Sequence, residues 1–265
     1  MPEPQSPEAA GAKPRTSGHS VRRISRIAYH LGARSYLEIG VFRGKTFNGL
    51  QFDRKVAVDP RFQFEVADFQ REGVEFHATT SDAYFTSCAG SQKFDVFFLD
   101  GLHTFQQTFR DFCNSLACAH DRSVWLIDDV LPVDVYSAWP VESEALKFRR
   151  RAGGDGPQWH GDVFKVIFAI HDFFPTFSYV TITGSGNPQA LVWKAPRGGF
   201  SPLLNSMEAI ERLTYFDLLK RMEVLNAKAE EAAFRDLIAS ITAQGHGIRE
   251  MPNRRGQWMH CWSGK

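Results

Sequence analysis

Three aspartates and a histidine carry the sharpest chemistry in this chain: Asp100 and His103 in Asp100-Gly101-Leu102-His103, and the adjacent pair Asp128 and Asp129. Each group ends a short apolar run rich in β-formers, residues 94–99 in one case and 123–127 in the other. Between the runs, residues 104–119 place Phe105, Phe109, Phe112 and Leu116 at helical spacings, which predicts a strand, helix, strand unit. If the two strands lie parallel and adjacent, about 4.8 Å apart, all three carboxylates emerge on one edge of the sheet. Carboxylates converging in a low-dielectric crevice repel one another unless one keeps a proton or a cation binds among them, and an all-oxygen set suits magnesium, calcium or manganese. The other use of the same residues is capping, with Asp128 or Asp129 on a following turn and Asp100 on the helix that starts at Thr104. His103 is of the right type to take a proton near neutral pH, or to hydrogen-bond backbone at the helix start.

A second constellation lies upstream. Residues 36–40, Tyr-Leu-Glu-Ile-Gly, predict a strand entering the turn Glu38-x-Gly40-x-x-x-Gly44 and then a short helix, so that a ligand can approach the backbone closely. The spacing is not the G-x-G-x-x-G that cradles a dinucleotide pyrophosphate, and alone the turn reads equally as a tight strand-to-helix connection. Residues 55–58 predict the next strand, ending at Asp59 about twenty residues beyond the first turn, the place of an acid that accepts ribose hydroxyls. Turn and acid together suit an adenosine-bearing ligand. Further along, Trp159, His160 and Asp162 open a helix over 163–173 and either line an acceptor pocket or pack there.

The elements that must position these residues follow from the rest of the chain. With 265 residues, 43% hydrophobic and 23% charged, one large domain with appendages is expected. A formal charge of +1, from 31 basic and 30 acidic residues, provides no field to attract nucleic acid or an anionic membrane, which leaves small-molecule chemistry. Without a long apolar segment, neither secretion nor membrane spanning is expected, and a cytoplasmic location follows. Cys88, Cys113, Cys118 and Cys261 show no C-x-x-C spacing and read as reduced thiols. Residues 1–20 read as a disordered arm, and residues 21–31 as a helix ended by Gly32. From 35 to 127 strands and helices alternate, with helices over 61–72 and 81–89, the latter capped by Ser81 or Asp82. The expected fold is α/β: a Rossmann-like, doubly wound, mostly parallel sheet with helices on both faces, over residues 21–200. Residues 131–162 form a long insert that suits a substrate lid, and 177–183 and 190–194 an antiparallel pair joined by 184–188. Residues 201–265 read as a helical C-terminal extension and tail, strongly helical over 206–242 with one possible interruption. Within it, Ile210, Leu213, Phe216, Leu219, Met222 and Leu225 form an apolar series that needs cover, from a partner subunit in a homodimer or higher homo-oligomer or from the chain's own lid.

Residues 36–129 resemble the class I S-adenosylmethionine-dependent methyltransferases: Glu38-Ile-Gly40-Val-Phe-Arg-Gly44 is similar to the first cofactor motif, Val58-Asp59 to the second, and Phe94 to His103 to the fourth. Asp100-Gly101-x-His103 followed by Ile127-Asp128-Asp129 is similar to the metal-dependent O-methyltransferases that act on macrolide sugars and related natural products. The resemblance implies S-adenosyl-L-methionine as cofactor, with Glu38, Gly40 and Gly44 at its methionine part, Asp59 at the ribose, Ser81 and Asp82 near the adenine, and Asp100 where cofactor and metal sites meet. It implies Asp100, Asp128 and Asp129 as ligands of Mg2+ or another hard divalent cation, and a small-molecule hydroxyl acceptor. The insert and the tail depart from the family. An NAD-dependent oxidoreductase and a non-catalytic cofactor-binding relative are the alternatives, the first disfavoured by the missing third glycine.

Overall fold

The structure, a computed structural model, describes residues 18–88, 92–245 and 247–249; the arm up to residue 17 and the tail with Trp258, Cys261 and Trp262 lie outside the described residues. The chain runs α1 (His19–Leu31), β1 (Ser35–Ile39), α2 (Lys45–Gly49), β2 (Arg54–Val58), β3 (Val74–His77), α3 (Ser81–Cys88), β4 (Phe94–Leu99), α4 (Phe105–Ser115) and β5 (Ala119–Ile127). The insert carries α5 (Glu142–Arg151), and then follow α6 (Lys165–Phe173), β6 (Phe177–Thr183), β7 (Gln189–Lys194), α7 (Met207–Glu211), α8 (Tyr215–Leu219), β8 (Ala227–Ala229) and α9 (Glu230–Ala243).

One eight-stranded sheet has the order β3-β2-β1-β4-β5-β7-β6-β8, in which only β7 runs against its neighbours. The expected α/β fold is present. The first five strands share the 3-2-1-4-5 arrangement of dinucleotide folds, but a returning hairpin, β6 and β7, replaces the second crossover half that would continue it. Strand order reverses between β1 and β4, and a crevice outside the carboxyl ends of such strands is where open α/β sheets bind ligands.

Both faces of the strands are apolar, as parallel strands covered by helices require. Phe97, Leu99, Trp125 and Ile127 pack under α3, α4 and α6, with Trp125 stacked on Phe97 at 5.0 Å. Val96, Phe98, Val124 and Leu126 face α1 and α9 across the other core. Trp125 donates its indole N–H to Ser115 Oγ at 2.8 Å, so its polar end is satisfied inside.

Several elements differ from expectation. Helix α1 starts at His19 rather than Val21, and 61–72 holds only a 3-10 turn, Val66–Phe69. The start of α3 is met by Thr80, whose Oγ1 accepts from the Ala83 amide, rather than by Ser81 or Asp82. Residues 206–242, expected as helix with one possible interruption, are broken more than once. Thr214 and Asp217 form a capping box that starts α8 anew, a 3-10 turn spans Met222–Leu225, and Asn226 turns the chain into β8 with φ of 46°. The expected stripe is therefore split: Ile210, Leu213 and Leu225 are buried in the chain's own core, while Phe216 and Leu219 face outward at 59% and 48% exposure. Because β8 pairs with β6 and α9 covers the sheet, this segment is part of the core and not an appendage to it. Among the described residues no helix is long and apolar enough to cross a membrane, and Cys113 and Cys118 are free thiols.

Candidate active site

At the switch point the two sequence constellations meet. Gly40, at the end of β1, has φ of 83°, and a Cβ there would lie 1.9 Å from the Asp100 carbonyl oxygen at the end of β4. Only glycine meets both demands, so the glycine turn and the Asp100 loop are packed backbone to backbone. Gly44 likewise takes φ of 67° as the turn enters α2.

Asp59 sits where the second strand was expected to end, but its carboxylate is occupied by this same turn. Oδ2 accepts from the amides of Val41 at 2.9 Å and Phe42 at 2.8 Å, and Oδ1 from Arg61 at 2.7 Å. It holds the shape of the glycine turn. Glu38 lies beneath at 2% exposure, accepting from Tyr36 Oη at 2.5 Å. Burial pushes it up to about 8, although the Tyr36 hydroxyl and Lys55 pull the other way. Lys55, equally buried, donates to the Phe47 and Leu50 carbonyls and is brought down to about 8, first by burial. Ser81 and Asp82 lie together off the end of β3, joined through Gln107 Nε2, with Asp82 also paired to Arg110 at 2.9 Å.

The acidic centre is built from β4, β5 and the insert. Asp100, His103 and Asp129 each bring one ligand atom into a group within 4.8 Å of one another. His103 Nδ1 is 3.0 Å from Asp129 Oδ2, and Nε2 is 3.7 Å from Asp100 Oδ1. Asp129 adopts φ of 60°, a left-handed backbone that few residues other than glycine accept readily and that clusters at functional sites. Asp128, expected as the third ligand, is not in this set. Its Oδ1 accepts from the Asp129 amide at 2.9 Å and from Asn187 Nδ2 at 2.5 Å, and the same Asn187 nitrogen reaches Asp129 Oδ1 at 2.8 Å.

All three carboxylates are raised above the usual range. Asp100 is raised well above it, by removal from water and then by facing Asp128, Asp129 and Glu38, although 31% exposure of its side chain lets water soften the shift. Asp128 is raised by burial and by Asp129, while Asp129 is raised by burial against the opposing pull of His103 and Asn187. A positive charge among them would relieve all three.

The insert supplies the wall. Trp159 stacks on His103 with centroids 4.9 Å apart and planes 15° apart, and a Cβ on Gly161 would lie 1.5 Å from the His103 carbonyl oxygen. His160 is buried at 6% exposure, with Nε2 at 3.3 Å from Asn187 Oδ1 and 3.9 Å from Asp129 Oδ1; burial lowers its pKa. It braces the centre from behind. Asp162 points elsewhere: Oδ1 accepts from the Phe105 amide at 2.7 Å and Oδ2 from Lys165 at 2.8 Å. The acid that caps α4 is thus Asp162, not Asp100. Asn187 was missed at the sequence level. The only signal was the Gly184-Ser185-Gly186-Asn187-Pro188 turn, which marks a hairpin tip but not where its side chains reach.

Residues 16–130 match the family model described as a methyltransferase domain. No curated protein matches the chain. Among solved structures, the cofactor-bound Rv0187 from MTB shares 18% identity over 72% of this chain and 84% of its own, with a TM-score of 0.48. An O-methyltransferase from Bacillus cereus in complex with SAH shares 18% over 69% and 82%, with a TM-score of 0.47. The O-methyltransferase TomG from Streptomyces achromogenes, involved in tomaymycin synthesis and in complex with SAM, shares 16% over 66% and 78%, at 0.42. The segment that matches this methyltransferase-domain model, residues 16–130, holds the glycine turn, Asp59, Asp100, His103, Asp128 and Asp129.

Proposed function

We propose that the protein is an S-adenosylmethionine-dependent O-methyltransferase that methylates a hydroxyl of a small molecule with the help of a divalent cation. The observation that carries this reading is the packing of the glycine turn against the Asp100 loop, which sets a cofactor-type turn directly beside Asp100, His103 and Asp129. Glu38, Gly40, Gly44 and Asp59 form the cofactor side, with Ser81 and Asp82 toward the adenine. Asp59 does so by holding the turn as well as by offering its remaining lone pairs to ribose hydroxyls.

The site fits a cation, since two carboxylates with raised pKa values, Asp100 and Asp129, converge beside His103, and among the described residues no Lys or Arg is paired to either. The expected set was all carboxylate; Asp128 is turned to Asn187, and the two that remain, Asp100 and Asp129, suit magnesium, calcium or manganese and leave His103 for proton transfer. Such an ion, when bound, orients an acceptor hydroxyl and lowers its pKa. The chain's own part is proton transfer and alignment. Asp129 accepts a hydrogen bond from His103 Nδ1–H and fixes its tautomer, which leaves the Nε2 lone pair, on the Asp100 side, to receive the hydroxyl proton. Trp159 limits rotation of the imidazole by stacking on it and shields one face from water. S-adenosylmethionine, when bound, would supply the methyl group and leave as S-adenosylhomocysteine, and what these residues would provide is an acceptor oxygen held in line with the sulfur–methyl bond.

Isothermal titration with S-adenosylmethionine, followed by turnover of a panel of small hydroxyl compounds with and without chelator, tests the proposal. Binding with cation-dependent methyl transfer is expected. Absence of S-adenosylmethionine binding overturns the cofactor, and full turnover in chelator overturns the cation.

A further inference from the structure

The tip of the β6–β7 hairpin is short of support of its own. Gly184 and Gly186 both have positive φ, at 87° and 96°, and Asn187 reaches from this tip to both Asp128 and Asp129. What holds the tip comes from the two ends of the described chain. Arg23 of α1 is fully buried and spans the loop: Nη1 donates to the Asn187 carbonyl at 2.7 Å and to Gln189 Oε1 at 2.7 Å, Nη2 to the Ser185 carbonyl at 2.9 Å, and Nε to Glu230 Oε2 at 3.1 Å. Glu230, the first residue of α9, accepts from Ser185 Oγ at 2.7 Å and from Arg22 at 2.8 Å, and these partners bring it down to about 2 despite its partial burial. Gly186 lets α1 sit close, since a Cβ there would lie 2.5 Å from the His19 ring.

A buried arginine and carboxylate carry a desolvation cost that apolar residues would avoid, so their retention fits a need for one defined hairpin conformation. Every hydrogen bond that Arg23 makes to backbone falls on the two residues flanking Gly186. We infer that Arg23 and Glu230 are positioning residues for the carboxylate centre: they fix Asn187, whose amide sets how Asp128 and Asp129 are turned, and so direct Asp129 onto His103 while Asp128 is held off. Neither residue touches the reacting groups. The activity arm of this inference rests on the methyl-transfer reading, whereas its geometric core does not.

The test uses the full chain and the variants Glu230→Ala, Glu230→Gln, Ser185→Ala and Asn187→Ala. The Asn187 side-chain amide is observed by 15N–1H NMR and assigned by its loss in Asn187→Ala. Expected in Glu230→Ala is a displaced, fast-exchanging Asn187 amide and a turnover number about 10-fold or more lower, as misalignment near 1 Å produces, with S-adenosylmethionine affinity within about 2-fold. Glu230→Gln, which keeps an acceptor for Arg23 and Ser185, restores the amide signal and most of the turnover. Ser185→Ala removes one bond to Glu230 without touching the core and gives a smaller change of the same kind, which serves if Glu230→Ala does not fold. An unchanged Asn187 amide in folded Glu230→Ala, or in Ser185→Ala, overturns the inference whatever the activity does. If no variant or parent binds S-adenosylmethionine, the functional reading fails and the amide result still decides this one.

Discussion

On the proposed mechanism, His103 and Asp129 carry proton transfer and the glycine turn carries cofactor binding, so the two can be tested apart. His103 faces Asp100 with one ring nitrogen and Asp129 with the other, so replacing it removes the base without disturbing the glycine turn. His103→Ala is expected to lower turnover about 100-fold or more with S-adenosylmethionine affinity nearly unchanged; turnover within a few-fold of the parent would make His103 a packing partner of Trp159. The two adjacent aspartates should also differ. Asp129→Asn removes a member of the cation set and the group that orients His103, whereas Asp128→Asn alters a residue tied to Asn187. The first is expected to cost more turnover and more cation affinity than the second, and the reverse order, measured by cation titration, would return Asp128 to the ligand set. Sequence spacing brought Asp100, Asp128 and Asp129 to one edge but gave no way to rank the pair. That rank depends on the left-handed backbone of Asp129 and on an amide 58 residues away.

Glu38 adds a pH dependence that belongs to the same scale. Its folded pKa, near 8, lies above its ordinary 4.5, so between those values the unfolded chain gives up a proton that the folded chain keeps, and stability falls as pH rises through that window. Lys55 acts in the next window: lowered from 10.5 to about 8, it makes stability rise with pH between those values. Glu38→Gln retains an acceptor for Tyr36 and abolishes the first slope. Its melting temperature should match the parent near pH 4.5 and exceed it at pH 8, by the equivalent of a few kcal/mol at about 1.4 kcal/mol per pKa unit. Parallel melting curves across this range would show that Glu38 is ionised in the folded protein.

At the scale of elements, the site depends on how closely strand ends and the insert approach one another. Gly40→Ala would put a methyl group 1.9 Å from the Asp100 carbonyl, against backbone that cannot rotate away. The expected outcome is a loss of about 2 kcal/mol or more of stability together with weakened S-adenosylmethionine binding; a variant that melts and binds like the parent would show that β1 and β4 can part at their ends. The strands themselves were legible because each apolar run is short, β-rich and ended by polar or glycine residues, as in Phe94–Leu99. The helical segments after residue 200 were not, because Ile210, Leu213, Phe216 and Leu219 fit a helical period across a break. The local sign of that break, Thr214 with Asp217 three residues on, is a capping box inside the apparent stripe. The 61–72 segment failed in the opposite way: Phe62 and Phe64 are half-buried against Phe76 in a cluster of edge-to-face rings, so they find cover without needing a helix, while Phe69 stays exposed.

For the whole molecule, the C-terminal segment changes from an expected extension to a structural necessity. Helix α9 buries Ala233, Phe234, Leu237 and Ile241 against the sheet, with Arg26 of α1 over the Phe234 ring at 4.1 Å, and β8 hydrogen-bonds to β6 at the sheet's edge. Burying a Phe, Leu or Ile side chain contributes about 1.5–3 kcal/mol each, so these three approach the 5–15 kcal/mol by which a domain of ordinary stability stays folded. The same segment supplies Glu230 to the hairpin clamp and Glu231 to Arg26, both at hydrogen-bonding distance. A chain ended after Asn226 would therefore expose the apolar side of α1 and β6 and leave buried Arg23 without its carboxylate, a loss that breaking a buried ion pair makes severe. Such a truncation is expected to lose its cooperative thermal transition and its S-adenosylmethionine binding together, even though every residue of the segment 16–130 that matches the methyltransferase-domain model is still present. A truncated protein that melts cooperatively near the parent's temperature would show that the sheet from β3 to β6 folds by itself, and that α9 serves only the hairpin.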